Sequence, residues 1–259
     1  MEPTEHDHGE AVLERAGYEL RTASHAVVGD PRGGTRRLTG TDRPLAVVAL
    51  DDPQVEPAAL VPEFASVLAH GHDALFVVPD VDALAAVVEV LDRPYCVAAE
   101  DEDRCRTFYD GPDRVPLANG HYALAPAGDL VWRERDPPEA DDGDRTGSDR
   151  KQVVLEDGDE ILARFDDVDA LACPSADAFP LSYKRGGDKT FHVYDRWGSE
   201  LGRFGTIKAM RQHDFEPVAM PLVPEHSFDD GSLVTSWAVV VEGASTVHTA
   251  DGTTQLPEA

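Results

Sequence analysis

Short apolar runs alternate with helical patterns over residues 44–99, and this alternation constrains the fold more than any other feature of the chain. Residues 45–50 and 74–78 are continuous apolar runs, which are typical of strands that are covered on both faces of a sheet. Residues 58–69 and 81–91, which follow these runs, place apolar side chains at helical spacing. The order predicts β-α-β units and therefore an N-terminal α/β domain with a mainly parallel sheet.

Residues 133–151 separate two regions of different character. This segment is rich in Pro, Gly, Asp and Ser, and Ala140 is its only apolar side chain apart from the prolines, as in a solvated linker. Two hairpin patterns follow it, at 153–165 and 190–204. We therefore predict an α/β domain at 1–132, an acidic linker at 133–151 and a smaller β-rich α+β domain at 152–259.

The chain is strongly acidic, since its 259 residues carry 50 Asp and Glu against 23 Lys and Arg, for a formal net charge of -27. No lysine precedes Lys151. This composition resembles that of cytosolic proteins from halophiles that accumulate KCl, in which surface carboxylates maintain solubility and salt screens their repulsion. In such a chain an acidic pair indicates a solvated surface, whereas a cluster of basic residues indicates a specific contact.

Three features of the sequence bear on its compartment. The cysteines Cys96, Cys105 and Cys173 are odd in number and show no C-x-x-C spacing, which argues against a disulfide framework or a zinc site. The first residues lack the basic start and apolar run of a secretory signal. No apolar stretch reaches the roughly 18 residues of a membrane span. We therefore predict a cytoplasmic protein with no membrane partner.

Residues 183–213 break the acidic pattern, because they contain seven basic residues against three acidic ones. Lys and Arg contact phosphates in nucleic-acid complexes, and exposed aromatic rings stack on the bases of a single strand. Strand alternation predicts that Tyr194 and Arg196 share the face opposite Phe191. The residues of this stretch that we predict to bind nucleic acid or phosphate are Lys184, Arg185, Lys189, Tyr194, Arg196, Trp197, Arg203, Lys208 and Arg211.

Two other interpretations of residues 183–213 stay open. In the first, the aromatic side chains fill the core of a small β-rich domain and the basic residues pair with neighbouring carboxylates. In the second, the same surface meets a protein partner or the other domain. The Debye length is about 3 Å at molar salt, so charge alone would hold such a contact weakly and stacking or burial would be needed.

A second, smaller island of positive charge spans residues 29–43. Its glycines allow backbone N–H groups to approach a phosphate, although the P-loop pattern is not present. We predict that Arg32, Arg36 and Arg37 join the binding surface. A mobile hairpin loop is the alternative explanation.

Carboxylates follow the two predicted parallel strands, at the edge where open α/β sheets place their sites. They are Asp51 and Asp52 after the first strand, and Asp80 and Asp82 after the second. Converging carboxylates of this kind hold Mg²⁺ in phosphoryl-transfer sites. The competing explanation is that Asp80 caps the helix that follows it and that the other carboxylates belong to the acidic surface.

The leading hypothesis is a non-catalytic nucleic-acid or phosphate-ligand binding protein that acts through its C-terminal domain. One alternative is a magnesium-dependent phosphoryl-transfer enzyme, and another is a protein-interaction or assembly module. The chain contains no H-E-x-x-H or G-x-S-x-G motif. We therefore predict no catalytic residue, and no cofactor apart from the Mg²⁺ of the enzyme alternative.

Overall fold

The computed structural model divides the chain into two compact units. The first unit is made of Met1–Cys96 and Pro224–Ala259, and the second of Val97–Val223. The first unit is therefore completed by the C-terminal segment of the chain. The residues that the structure describes are 5–23, 26–92, 94–137, 151–228, 233 and 235–257.

Strands predominate among the regular elements. The strands are β1 (Glu19–Thr22), β2 (Val27–Asp30), β3 (Leu45–Ala49), β4 (Asp73–Val78), β5 (Ala99–Glu100), β6 (Arg106–Phe108), β7 (Asp110–Arg114), β8 (Tyr122–Pro126), β9 (Leu130–Arg135), β10 (Gln152–Asp157), β11 (Glu160–Phe165), β12 (Leu181–Arg185), β13 (Phe191–Asp195), β14 (Glu200–Phe204), β15 (Phe215–Pro217), β16 (Ala219–Pro221), β17 (Trp237–Val241), β18 (Thr246–Thr249) and β19 (Gly252–Gln255). The helices are α1 (Glu5–Ala16), α2 (Pro57–Ala69), α3 (Val81–Leu91), α4 (Ile207–Arg211) and α5 (Pro224–Ser227), with 3-10 turns at Asp169–Leu171 and Ala176–Ala178. Among the described residues, no helix combines the length and the apolar character that crossing a bilayer requires.

The first unit is built on a seven-stranded mixed sheet with the strand order β1-β2-β3-β4-β17-β18-β19. The pairs β3–β4 and β4–β17 are parallel, whereas the four other neighbouring pairs are antiparallel. The prediction of an N-terminal domain with a mainly parallel sheet is therefore wrong.

The apolar runs identify the centre of this sheet but neither its edges nor its third parallel strand. β4 is buried along its whole length, as its continuous apolar run requires. The edge strands pair as antiparallel hairpins, since a short connection cannot join parallel neighbours. The third parallel strand is β17, which pairs with β4 from Trp237 opposite Ala74 to Val241 opposite Val78. Periodicity reports burial and not the identity of a partner, so a pairing between distant segments leaves no local pattern.

Helices cover both faces of the mixed sheet. On one face, Leu13 of α1 belongs to the same buried cluster as Val47 of β3. Gly9 permits the close approach of α1, because a Cβ atom there would lie 2.4 Å from Val47 Cγ1. On the opposite face, the ring of Phe64 in α2 packs edge-on against Phe76 of β4, with 6.0 Å between ring centroids. The parallel centre of the sheet is thus buried from both sides.

The described residues of the second unit form three antiparallel sheets. Their strand orders are β11-β10-β9-β6-β5, β14-β13-β12-β8-β15 and β16-β7. Trp132, Phe165 and Phe179 are buried in one core cluster of this unit. The indole Nε1 of Trp132 donates a hydrogen bond of 2.7 Å to the carbonyl oxygen of Ala219, which satisfies the polar atom of a buried ring.

The sheet with the order β14-β13-β12-β8-β15 contains the strands of residues 183–213, and we call it the β13 sheet. One of its faces packs against α4 in a cluster that includes Tyr183, Val193 and Met210. Thr206 is the N-cap of helix α4, and its Oγ1 accepts a hydrogen bond of 3.1 Å from Ala209 N. The β13–β14 hairpin predicted from the sequence is confirmed.

The two units do not coincide with the domains predicted from the sequence. β9 extends to Arg135, and Glu134 within it accepts two hydrogen bonds from the guanidinium of Arg106, so the start of the predicted linker belongs to a sheet. Residues 138–150 lie outside the described residues. The segment from Pro224 onward belongs to the first unit, because β17 extends the sheet of β3 and β4.

Candidate nucleic-acid interface

The register of the β13 sheet divides the basic stretch between two faces. Lys184 of β12 lies opposite His192 of β13, which lies opposite Arg203 of β14. Alternate residues of a strand point to the same face, so Tyr194 lies on the face of His192. The ring contacts of Tyr194 with Lys184 and His192 agree with this placement.

A second row of cross-strand partners lies on the opposite face, which packs against α4. Arg185 pairs with Phe191, and Phe191 pairs with Phe204. Both phenylalanines pack against the buried cluster beneath α4, and the guanidinium of Arg185 lies 5.8 Å from the centroid of the Phe191 ring. The core interpretation therefore holds for these aromatic residues.

Four side chains form a compact group on the face away from α4, and we call it the Tyr194 platform: His121, Lys184, His192 and Tyr194. The Lys184 ammonium lies 5.2 Å from the centroid of the Tyr194 ring, within the range of a cation–π contact. The His192 ring is nearly parallel to the Tyr194 ring, with 16° between planes and 6.5 Å between centroids. The centroid of the His121 ring lies 4.9 Å from that of Tyr194, with 35° between the ring planes. The platform combines aromatic faces with an exposed cation.

His121 comes from the turn before β8 and is fixed by its neighbours. Its Nδ1 lies 3.1 Å from Ser182 Oγ, and its backbone N–H donates a hydrogen bond to Asn119 Oδ1. Burial lowers the pKa of His121, and the nearby Lys184 ammonium lowers it further. His121 is therefore biased toward the neutral form beside the cation of the platform.

Three further predicted residues lie in the turns at the two ends of β13. Lys189 lies in the β12–β13 turn with a φ angle of 66°, in the left-handed region. Arg196 and Trp197 form the β13–β14 turn, where Asp195 Oδ1 accepts hydrogen bonds from the backbone of Trp197 and Ser199 at 2.9 and 2.8 Å. The Trp197 side chain is 83% exposed. The turn thus presents a large aromatic ring to solvent.

The basic residues of α4 lie with their helix on the face opposite the Tyr194 platform. Arg211 pairs with Glu216 at 2.8 Å, and Lys208 is exposed. The predicted residues therefore do not form one continuous surface. The structure brings Lys184, Tyr194 and Arg203 together, and it separates them from Lys208 and Arg211.

The basic residues of this stretch differ in how they are neutralised. Arg203 pairs with Glu200 at 2.6 Å, and Arg211 pairs with Glu216. Within the described ranges, no carboxylate lies within salt-bridge distance of the other five basic residues, which are Lys184, Arg185, Lys189, Arg196 and Lys208. Three of these five lie against aromatic rings instead. This is unusual in a chain with 50 acidic residues, where carboxylate partners are abundant.

Three of the four arginines of the island at 29–43 are bound to neighbouring groups in the first unit. Arg32 pairs with Glu19, and Arg37 pairs with Asp42 at 2.6 Å. Arg36 donates a hydrogen bond of 2.7 Å to the backbone oxygen of Gln255. These three predicted binding residues therefore have structural partners of their own.

The strand-end carboxylates act locally. Asp80 caps α3 by accepting hydrogen bonds from Asp82 N at 3.0 Å and Ala83 N at 2.9 Å, which confirms the competing explanation for this residue. Asp52 accepts a hydrogen bond from Gln54 N, and Asp51 and Asp82 are exposed. In the described part of the chain, no group of three or more His, Cys, Asp or Glu side chains could hold a metal ion. The magnesium site stays a prediction.

The two histidines of the platform were not predicted from the sequence as binding residues. His192 had a usable signal, because it alternates with Tyr194 on the same strand face. His121 had none, since it reaches the platform through the pairing of β8 with β12, in which Ala123 lies opposite Ser182. A pairing between distant segments can be identified only from the folded structure.

Comparisons of this chain with models of protein families, with curated proteins and with solved structures find no match. The function is therefore argued from the chemistry of the site. Its defining features are an aromatic face, cations without carboxylate partners in the described residues, and an exposed tryptophan.

Proposed function

We propose that the protein binds single-stranded nucleic acid without catalysis, at the Tyr194 platform of the β13 sheet. The observation that carries the proposal is the Lys184 ammonium, which lies over the Tyr194 ring and has no salt bridge within the described residues although the chain carries a net charge of -27. Such a pair offers a cation for a phosphate and a ring for a base at the same place.

Unpaired cations are the electrostatic basis of this proposal. A basic side chain that already pairs with a carboxylate must give up that partner before it contacts a phosphate, whereas Lys184 and Lys189 need not. Each phosphate contact releases counterions from the nucleic acid, so affinity falls as salt rises. The two lysines lie on β12 and in the adjoining turn, so a single strand along this edge of the platform contacts both.

Aromatic stacking accounts for the preference for a single strand. Tyr194 contacts the rings of His121 and His192, which order it before a ligand arrives and reduce the entropy lost on binding. Unpaired bases stack on such rings, while the paired bases of a duplex are already stacked on each other. Trp197 supplies a further ring, which is exposed, at the β13–β14 turn.

Stacking also permits binding in concentrated salt. If the acidic composition reflects a cytosol rich in KCl, ionic contacts are screened beyond about 3 Å at molar salt. Stacking of a base on an aromatic ring does not depend on long-range charge and contributes about 1–3 kcal/mol per base. The combination of rings and cations therefore suits this chain better than a surface of cations alone.

A protein partner is the second candidate, and one observation favours it. Trp197 is 83% exposed and Leu201 is 50% exposed, both in the β13–β14 hairpin. Exposed tryptophan and arginine side chains are enriched among the residues that dominate protein interfaces, and Arg196 lies beside Trp197. A protein interface centred on this hairpin would lose binding in Trp197→Ala and keep it in Lys184→Gln.

Fluorescence anisotropy tests the proposal with labelled single-stranded DNA, duplex DNA and RNA across a KCl series. We expect binding of single strands, affinity that falls with log salt, and a smaller salt slope in the variant K184Q/K189Q. Heparin is the control polyanion without bases. Equal binding of heparin and single strands would contradict the stacking role of Tyr194, and binding of none of them would contradict the proposed function.

A further inference from the structure

His192 is enclosed by polar and charged groups from the β12–β13 turn and from β14. Asp188 Oδ1 and Thr190 Oγ1, both in the turn, lie 3.3 and 3.0 Å from His192 Nε2. Glu200 Oε2, on β14, lies 3.2 Å from His192 Nδ1. The His192 side chain is 12% exposed, so these groups provide most of the environment of the ring. Each ring nitrogen therefore faces a carboxylate oxygen.

Both carboxylates that face the ring are held in the ionised form. Hydrogen bonds from the hydroxyl and backbone N–H of Thr190 lower the pKa of Asp188 to about 2. Hydrogen bonds from Arg203 and then from His192 lower the pKa of Glu200. An ionised carboxylate accepts hydrogen bonds and donates none. The protons of both contacts must therefore come from the imidazole of His192.

A neutral imidazole cannot supply both protons, because only one of its nitrogens carries hydrogen. The neutral ring would place a nitrogen lone pair against one carboxylate, whereas the imidazolium donates to Asp188 and Glu200 together. Thr190 does not replace the missing donor on Nε2, because its hydroxyl donates to Asp188 Oδ1 at 2.8 Å. The geometry around His192 thus fits the protonated ring.

The His192 ring has little free space around it. A Cβ atom at Gly186 would lie 2.6 Å from His192 Nε2 and 2.7 Å from Asp188 Oδ1, so the turn approaches the ring closely. Tyr194 stacks beside the ring. The ring is therefore positioned by the turn beneath it and by the platform next to it.

Cations also face the His192 ring, and their charge opposes its protonation. Lys184 of β12 and Arg203 of β14 are the cross-strand partners of His192. Arg203 is neutralised by Glu200, and Lys184 lies over the Tyr194 ring. His121 lies on the far side of Tyr194. Two carboxylates and one cation that has no salt bridge within the described residues thus act on the His192 ring.

We propose that protonation of His192 switches the Tyr194 platform from a weakly binding to a strongly binding state for single-stranded nucleic acid. The inference rests on the proposed function. With the proton present, the imidazolium and Arg203 together balance the charges of Asp188 and Glu200, and Lys184 leaves the row across β12, β13 and β14 with one net positive charge. With the proton absent, one carboxylate loses its donor and repels the phosphates of the ligand. By linkage, binding of the nucleic acid takes up protons.

The test measures the affinity of a short oligothymidylate between pH 5 and pH 8 at constant KCl. Its phosphodiesters and thymines do not titrate in that range, and a rhodamine label avoids the titration of fluorescein. We expect affinity to fall by about fivefold as the pH rises, which is the contribution of one unit charge about 4 Å from a phosphate in water. His192→Gln should remove this dependence, and His213→Gln, in the turn after α4, should retain it. An unchanged pH dependence in His192→Gln would overturn the proposal.

A second measurement needs no ligand and separates failure of the switch from failure of the proposed function. Nitrogen NMR of the histidine rings in the free protein reports whether both nitrogens of His192 are protonated, with His192→Gln providing the assignment. We expect the ring to keep its second proton to a higher pH in the parent protein than in Asp188→Asn/Glu200→Gln. Identical titration in the two proteins would overturn the switch even if oligothymidylate binds. The expected NMR result without any binding would contradict the proposed function alone.

Discussion

The island at 29–43 and the stretch at 183–213 give the same signal in the sequence and have different structures. Both concentrate arginine in an acidic chain. In the island, Arg32 and Arg37 pair with Glu19 and Asp42. In the second stretch, Lys184 lies over the Tyr194 ring and has no salt bridge to any carboxylate that the structure describes. A local excess of positive charge is therefore not sufficient evidence of a binding surface.

The difference teaches that the partner of a cation matters more than its position in the sequence. A surface pair with a carboxylate satisfies the cation and adds little stability, about 0–1 kcal/mol. A cation over an aromatic ring keeps its N–H donors available for another acceptor. The second arrangement is suited to a phosphate ligand, and the first is suited to fixing a loop.

The largest expected effect comes from removing the ring at the centre of the platform. Tyr194→Ala should weaken binding of single-stranded DNA by roughly tenfold or more, since stacking contributes about 1–3 kcal/mol per base. Tyr122→Ala is the matched control, because Tyr122 is 45% exposed and stacks on Tyr183, on the other face of the sheet. Anisotropy at one KCl concentration measures both variants. Equal losses in the two would contradict a role specific to Tyr194.

The second prediction compares the removal of a single cation from each of the two regions. Lys184→Gln should reduce the slope of log affinity against log salt by about 1, as expected for one lost phosphate contact. Arg37→Gln should leave the slope unchanged and cost at most about 1 kcal/mol of unfolding free energy, because its pair with Asp42 is exposed. Salt titrations and urea unfolding measure the two quantities. A reduced slope in Arg37→Gln would break the comparison.

A smaller effect should follow when the arginines of the island lose their partners. In Glu19→Gln/Asp42→Asn, Arg32 and Arg37 keep their positions in sequence and lose their carboxylates. We expect a weak gain in affinity for single strands, about twofold at low salt, with a slope larger by at most about 2. If the affinity does not rise, more than the salt bridges keeps the arginines of the island from contacting the nucleic acid.

The smallest effect concerns the turn that faces His192. Thr190→Val removes the hydroxyl that donates to Asp188, so the pKa of Asp188 should rise from about 2 toward its ordinary value. Because the pKa of Asp188 is lowered in the folded protein, its contribution to stability is present above the unfolded value and is lost as the pH falls toward 2. The variant should lose that contribution at a higher pH. Carbon NMR of the carboxylates measures the shift. Ser175→Ala is the control, because Ser175 Oγ donates its hydrogen bond to Asp177 and not to Asp188.

Local features of the fold were predictable from the sequence. The continuous run of β4 and the helical spacing of α3 identified both elements, and Asp80 identified the start of α3. These features depend on neighbours within a few residues. The sequence therefore reports them directly.

Long-range features were not predictable. The pairing of β17 with β4 and the antiparallel edges of the first sheet depend on contacts between distant segments, so the predicted parallel sheet was wrong. The platform was predicted only through Lys184 and Tyr194, because His121 joins them through β8. The pairing of Arg32 with Glu19 was likewise hidden, and the sequence could not distinguish arginines that pair with carboxylates from cations that do not.

The most direct test of the central claim is an amide NMR titration of the protein with unlabelled oligothymidylate. We expect saturable shifts of the amide signals on the Tyr194 platform and its flanking strands, around residues 121, 182–194 and 200–203. The amide signals of Arg32, Arg36 and Arg37 should not change. Saturable shifts confined to the island at 29–43, or no saturable shifts at any salt concentration where the protein is folded, would contradict the central claim.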